Sequence, residues 1–227
     1  MTKKPEFPMR INQYLAWQKM GTRRDGDKLV VKKQVLINGR IAVLGDKVNE
    51  ADMVEVLRSK KRKAYLYFAY NKPVGEVTGE QASLQEKDIF PIGRLDKESE
   101  GLMILTNDGR ITDSLLSPEY DHEKEYLVTT IEKLRSNFKE KMEAGVNIEG
   151  YITRKCKVTI LNDFTFKIVL TEGKKHQIRR MCVALHNQVK KLKRIRIMNI
   201  GLENLAPGSF RALGGDELNM FLRSLVG

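Results

Sequence analysis

An aspartate held between a glycine-led loop and an apolar strand is a candidate nucleophile, and PIGRLDKESEGLMILTNDG, residues 91–109, supplies one in Asp96. A leading loop on one side and a buried strand on the other would fix the carboxylate well enough to aim it at one substrate atom. Taken alone, an aspartate in a loop is more often a turn or cap residue. Glu98 and Glu100 follow closely, so a carboxylate pair working as a glycoside or nucleoside hydrolase is a competing reading. Arg94, two residues ahead of Asp96, is a cation that would suit a phosphate contact.

Two other segments carry chemistry-bearing residues. DHEKEYLV, residues 121–128, sets Tyr126 at the head of a strand, where a tyrosine is ordinarily core. TEGKKHQIRRMCVAL, residues 171–185, presents Arg179 and Arg180 beside an apolar helical stripe of Ile178, Met181, Cys182 and Leu185, and such arginines commonly bind phosphate from a solvent face. His176 has the side chain whose ordinary pKa, about 6.5, suits acid–base work, but no role is assigned to it. Cys156 and Cys182 build no disulfide framework, and with His122, His176 and His186 they show no zinc-ligand spacing. Both thiols read as core, and neither a metal nor a cofactor is expected.

Several elements must position these residues. MRINQYLAWQKM, residues 9–20, reads as a helix with Ile11, Leu15 and Met20 near one face and Tyr14 and Trp17 beside them. Gly21 and Thr22 break and recap the chain, and a second helix fits Arg23 to Lys33. VLINGRIAVLGDKV then predicts a hairpin about Asn38-Gly39 and a further turn at Gly45-Asp46. RSKKRKA, residues 58–64, reads as an exposed basic linker. Beyond it AYLYFAYNKP is apolar on both alternating faces, as an interior strand is. GLMILTNDG, KEYLVTTI and CKVTILNDFTFKIVL add strands; Leu134, Phe138 and Met142 mark a helix over 134–144, and Asp216 to Val226 a closing helix. The irregular alternation gives an α+β class in two domains, 1–63 and 64–227.

Charge narrows the partners. The chain has 41 Lys+Arg against 29 Asp+Glu, a formal net charge of +12, and 31% charged with 41% hydrophobic residues. That balance suits a globular protein drawn to polyanions. Residues 1–63 hold 16 Lys+Arg and 7 Asp+Glu, so most of the excess lies in the first quarter. No apolar run approaches the roughly 20 residues that span a bilayer, and MTKKPEFPMR lacks a signal-like apolar stretch. The expected location is the cytoplasm and the expected partner RNA, with DNA and membranes disfavoured and a monomer expected.

The N-terminal unit, INQYLAWQKMGTRR followed by a basic helix and VLINGR, resembles the S4 RNA-binding domain over about 50 residues. The resemblance implies that Arg10, Arg23, Arg24, Lys28, Lys32, Lys33, Asn38 and Arg40 track the phosphates of structured RNA. Gly26 departs from the pattern, and an interior glycine costs a helix about 1 kcal/mol. Gln34 stands where a glycine often precedes the strand. PIGRLDKESEGLMILTNDG resembles the active-site loop of RNA pseudouridine synthases of the RsuA type, and the motifs around Tyr126 and Arg179, with NKPVG and VKKLKRIRIMNIGLENLAPGSFRAL, extend the likeness over nearly the whole chain.

That likeness implies a small S4 domain followed by a catalytic domain with a mixed, mainly antiparallel central sheet flanked by helices. It implies that Asp96 is the nucleophile that isomerises uridine, that Arg94 helps displace the target base from its stack, and that Tyr126 stacks on the uracil and assists proton transfer. Arg179 is expected to pair with Asp96 and hold it ionised. KESEGLMILTN, ITRKCKV and VKKLKRIRIMNI resemble the large-subunit rRNA synthase F branch, which implies a uridine in 23S rRNA with a tRNA anticodon uridine as second target. The stretch between Gly75 and Pro91 is shorter than usual in that branch. The rival to an active enzyme is an S4-type RNA-binding or ribosome-assembly protein that has lost its activity.

Overall fold

The computed structural model describes residues 6–57, 64–79, 88–117 and 120–225, which fall into two compact units, Met1–Ala64 and Tyr65–Gly227. The basic run at 58–63 and residues 80–87 of the Gly75–Pro91 stretch lie outside the described residues. No described helix is long and apolar enough to cross a membrane.

In the first unit, β1 (Met9–Arg10) precedes α1 (Ile11–Trp17), α2 (Arg23–Val31), β2 (Val35–Ile37), β3 (Arg40–Ile41), β4 (Lys47–Val48) and β5 (Val54–Val56). The first helix is shorter than its sequence suggests. Met9 pairs in β1 with Val48 of β4, and the chain leaves the helix through Lys19 and Gly21, both at positive φ. Met20 consequently lies exposed rather than on the Ile11–Leu15 face. Thr22 restarts the helix with a capping box: its hydroxyl accepts from the Asp25 amide at 3.1 Å, and Asp25 accepts from the Thr22 amide at 3.0 Å. Lys33 adopts a left-handed φ of 56°, which ends α2 near Val31 rather than at Lys33.

Gly26 is no weakness in this helix. It is buried, and a Cβ there would stand 3.1 Å from the Asn12 backbone. The missing side chain therefore allows α1 and α2 to pack closely, which offsets its poor helix propensity. Asn38 and Gly39, at φ 50° and 78°, form the tight turn between β2 and β3. Ile11, Leu15, Val30, Val35, Ile37, Ala42 and Val48 close the core of this unit.

The second unit runs β6 (Tyr67–Lys72), β7 (Phe90–Ile92), β8 (Glu100–Thr106), α3 (Thr112–Leu116), β9 (Lys124–Thr130), α4 (Phe138–Ala144), β10 (Asn147–Ile148), β11 (Tyr151–Ile152), β12 (Lys157–Asn162), β13 (Thr165–Leu170), α5 (Gln177–Ala184), β14 (Val189–Ile197), β15 (Ile200–Gly201), β16 (Phe210–Ala212) and α6 (Gly215–Ser224). Its main sheet has the order β12-β13-β9-β14-β8-β6-β16, with β15 on β14 and β7 on β8. The sheet is mixed: β14 and β8 run parallel, and the other pairs are antiparallel.

Both faces of β6 and β8 are covered, as their doubly apolar pattern requires, whereas β13 buries alternate residues and β12 is largely exposed. Tyr67 and Ala69 of β6, with Leu102 and Ile104 of β8, pack among Ile197, Leu213 and Phe221. Tyr70, Met103 and Leu105 face the other way and pack with Leu95. A separate core joins Val128, Phe138, Met142, Phe166, Ile168, Ile178 and Met181 beneath α4 and α5. Leu134 belongs to that core from a turn ahead of α4, so the helix starts at Phe138, later than the spacing predicted. Cys182 is buried and Cys156 partly so; burial pushes both thiols up to about 12.

Candidate active site

Asp96 lies on the loop that leads from β7 into β8, and that loop is tied down from several elements. Thr78 Oγ1 donates to the Leu95 carbonyl at 2.7 Å and accepts from the Leu95 amide at 3.1 Å. The Gly75 amide donates to Lys97 O at 2.8 Å, and the Ser99 amide to Asp96 O at 3.0 Å. Arg179 Nη2 donates to Glu98 O at 3.2 Å and Ser99 Oγ at 3.3 Å. Leu95, buried with Tyr70 and Met103, anchors the loop from below. The backbone is thus fixed while the carboxylate stays about one-third exposed. Rigid support under an accessible carboxylate is what directed attack requires.

The carboxylate opens on a cleft of about 1140 Å³ lined by Arg94, Asp96, Lys124, Tyr126, Glu172 and Arg194 among others. Arg94 is exposed, and its side chain has no hydrogen bond or ion pair among the described residues. Tyr126 enters from β9, half-buried against the cores on either side. Its hydroxyl also has no partner among the described residues. The far wall is a polar knot: Glu172 accepts from Tyr151 Oη at 2.5 Å, the Arg154 amide at 3.0 Å and Gln177 Nε2 at 2.7 Å. Burial works to raise the Glu172 carboxyl, yet these donors outweigh it and hold the group below its ordinary value.

The ion pair expected between Asp96 and Arg179 does not form. The Arg179 guanidinium is engaged by three neutral acceptors, Glu98 O, Ser99 Oγ and Val189 O, the last at 3.3 Å. The basic side chain beside the carboxylate is instead that of His176, whose Nε2 lies 3.4 Å from Asp96 Oδ1. His176 takes a left-handed backbone (φ 51°, ψ 30°) as it opens α5, a conformation that Lys19, Lys33 and Asn38 also adopt where elements end or turn.

Two further residues beside this site, Thr78 and Arg194, escaped the sequence reading, whereas Lys72 belongs to the NKPVG segment that extends the resemblance. Thr78 clamps the loop from a stretch without a recognisable pattern. Lys72 is fully buried, donating to Pro73 O at 2.9 Å and Glu76 O at 2.8 Å. Burial lowers its pKa, against the upward pull of Glu76, Asp96, Glu98 and Glu100. Arg194 on β14 is 3% exposed; the signal was its place two residues after Leu192, on the apolar alternation of a strand otherwise crowded with surface lysines.

In the first unit Arg10, Arg23, Arg24, Lys28, Lys32, Lys33, Asn38 and Arg40 are all exposed. Asn38 and Arg40 are engaged within the hairpin. Asn38 donates to Asp52 Oδ1 at 2.9 Å and accepts from the Met53 amide at 2.8 Å. Arg40 pairs with Asp46 at 2.8 Å. Both hold the hairpin together, which leaves Arg23, Arg24, Lys32 and Lys33 as the stronger candidates for phosphate contact.

Residues 66–184, from the start of the main sheet through α5, match the RNA pseudouridylate synthase family. This chain belongs to that family. The dual-specificity RNA pseudouridine synthase RluF of Escherichia coli K12 is 40% identical, over 94% of this chain and 78% of that protein. An uncharacterized RNA pseudouridine synthase of Aquifex aeolicus is 34% identical over 96% of this chain and 95% of that one. A crystal structure of a pseudouridylate synthase superposes with a TM-score of 0.69 at 28% identity, covering 96% of this chain and 99% of that one. The pseudouridine synthase fold accounts for the mixed sheet, and the family segment contains Asp96, Tyr126 and Arg179 but ends before Arg194.

Proposed function

We propose that this protein converts a uridine of structured RNA to pseudouridine, with Asp96 as the nucleophile. The observation that carries the assignment is that the family segment supplies most of the lining of one cleft, to which a braced carboxylate and a tyrosine whose hydroxyl has no partner among the described residues both contribute. The reaction breaks the bond between ribose C1′ and uracil N1, turns the base, and rejoins C1′ to C5. An ionised carboxylate serves by attacking carbon, and the base must leave its stack to reach it. The cleft exceeds the roughly 300–1,000 Å³ of typical small-molecule sites, which leaves room for nucleotides flanking the target.

Arg94, exposed beside the cleft with its guanidinium uncommitted, suits the space vacated by the displaced base. Tyr126 offers an aromatic face for stacking, a contact worth about 1–3 kcal/mol per base, and a hydroxyl for proton transfer. Residues 1–63 act as an S4-type RNA-binding domain, with Arg23, Arg24, Lys32 and Lys33 tracking phosphates. The target is a uridine of 23S rRNA, with a tRNA anticodon uridine as second substrate; the resemblance to the synthase F branch supports this choice. The protein acts as a monomer in the cytoplasm. Tritium release from C5-labelled uridine, tested on unmodified 23S rRNA fragments and tRNA transcripts, checks the proposal. Release identifies the substrate; no release from any RNA would favour an RNA-binding protein without catalysis.

A further inference from the structure

Beneath the cleft, β14 carries a buried arginine that spends only part of its guanidinium on the protein. Arg194 Nε donates to Leu102 O at 2.7 Å, and Nη1 reaches Arg94 O at 3.5 Å. Nη2 is buried and has no acceptor among the described residues. Leaving a buried guanidinium N–H unpaired is costly, more so than for a neutral donor. A residue that lines a ligand-sized cleft and keeps such a donor unpaired is arranged for an acceptor that arrives with the ligand.

The surroundings are built to hold it there. Arg194 stands opposite Tyr126 in the antiparallel register of β14 and β9, which sets their side chains on one face with Cβ atoms about 5 Å apart. On its other side is Gly101 of β8. Gly101 has φ 113°, and a Cβ there would fall 2.3 Å from the Arg194 carbonyl oxygen, so only glycine lets β14 approach at this point. Lys124 of β9 lines the same cleft; burial, and then the charge of Arg194, lower its pKa. Two cations therefore share the floor, close to the tyrosine and below the nucleophile's loop.

We propose that Arg194, with Lys124 beside it, stabilises the negative charge that the uracil ring acquires while it is detached from or rearranged on the ribose. The inference rests on the functional reading above and holds for either point of attack. If an Asp96 oxygen bonds to C1′ as the C1′–N1 bond breaks, the bonding pair stays with the base, whose charge spreads over N1 and O2. If the oxygen adds to C6 instead, the C5=C6 pair moves through C4 onto O4. In the second route the C1′–N1 bond then breaks with its pair passing to N1. In both routes C5 bonds to C1′, and the bond to the carboxylate breaks with its pair returning to Asp96, from C1′ in the first route and from C6 in the second. The ring's C5=C6 bond re-forms as C5 loses its proton, and N1 gains one. No outside oxidant or reductant is needed. An oxyanion facing an immobile, desolvated guanidinium N–H gains far more than it would in water.

The test compares wild type with Arg194→Lys, Arg194→Met and Lys124→Met in single-turnover reactions on the RNA found by tritium release. Conversion is read as loss of the N-linked nucleoside from nuclease digests. RNA affinity should stay within about threefold, and Arg194→Met should slow conversion on the order of 10²–10³-fold, as for loss of one oxyanion donor. The same reactions run on RNA with 5-fluorouridine at the target separate charge stabilisation from bracing. Fluorine makes the ring a better carrier of negative charge, so the deficit of each variant should shrink on that base. An equal deficit on both bases, or an unchanged rate, would overturn the inference. Should Arg194→Met fail to fold, the deficit of Lys124→Met on the two bases decides the matter in the same way. Wild type converting no RNA would refute the functional reading itself, whereas a converting wild type with base-independent deficits refutes this inference alone.

Discussion

His176 Nε2 lies 3.4 Å from Asp96 Oδ1, while Arg179 is bonded instead to the backbone of the loop that carries Asp96. The two basic residues thus divide the work: His176 meets the carboxylate itself, and Arg179 fixes the loop beneath it. Both members of the His176–Asp96 pair are substantially exposed, and exposed pairs contribute about 0–1 kcal/mol. Replacing His176 with alanine should therefore reduce kcat/KM by no more than about fivefold, since about 1.4 kcal/mol is tenfold. A loss of several hundredfold in steady-state kinetics would show that His176 takes part in the chemistry.

Arg179→Met should behave differently. Without the donors to Glu98 O and Ser99 Oγ the loop loosens, and a displacement of about 1 Å near the reacting atoms can cost about 100-fold in rate. We expect kcat to fall by roughly that factor with RNA affinity nearly unchanged. Thr78→Val, which removes both bonds to Leu95, should lower kcat in the same manner and lower stability by about 1–3 kcal/mol. Denaturant titration beside single-turnover kinetics reads both effects; full activity in Thr78→Val would show that the loop does not depend on that clamp.

Much of this was legible in the chain itself. The doubly apolar strands, the Asn38-Gly39 turn and the Thr22 cap are local signals, and each formed where its residues indicated. The motifs pointed to Asp96 and Tyr126, and both line the cleft. The partners of Arg179 were not found this way, because a motif specifies a residue type, whereas the choice between a carboxylate and a carbonyl is made by tertiary distances. Gly26 misled for the same reason: its propensity cost is visible in sequence, but the Asn12 backbone it must admit belongs to another helix and leaves no local pattern. Arg194 was hidden among the cations of β14, told from them in sequence only by its register with Leu192 and in the structure by its burial.

Asp108 supplies a pH-dependent prediction for the catalytic unit. It is fully buried and accepts from Tyr67 Oη at 2.6 Å and from Arg110 Nε and Nη2 at 2.7 and 2.8 Å. Burial would raise its carboxyl, but these donors prevail and hold it below the ordinary 3.8. A depressed carboxyl stabilises the fold above its unfolded-state pKa, and that stability is lost as pH falls through the folded value. Asp108→Asn should thus cost about 1–3 kcal/mol at pH 7, the range for leaving a buried hydrogen-bond partner unsatisfied, because the Arg110 side chain it leaves behind is 44% exposed to solvent. The difference from wild type should persist at pH 5 and narrow only below 3.8. Urea unfolding across that range checks it; a difference that vanished already between pH 6 and 5 would contradict the assignment.

The basic helix of the first unit makes a separate prediction about binding. Changing Arg23, Arg24, Lys32 and Lys33 together to glutamine should weaken RNA binding and reduce the slope of log affinity against log salt. Each phosphate left without its cation lowers that slope by about 0.7–0.9. Affinity measured between about 50 and 200 mM salt, where such pairing dominates, reads the change; an unaltered slope would remove the S4-type role from these four residues.

That Asp96 is the nucleophile is tested most directly by comparing tritium release by wild type and Asp96→Ala on the same C5-labelled RNA. The expected result is release by wild type, none by Asp96→Ala, and closely similar RNA affinity for the two. Turnover retained in Asp96→Ala would contradict the assignment.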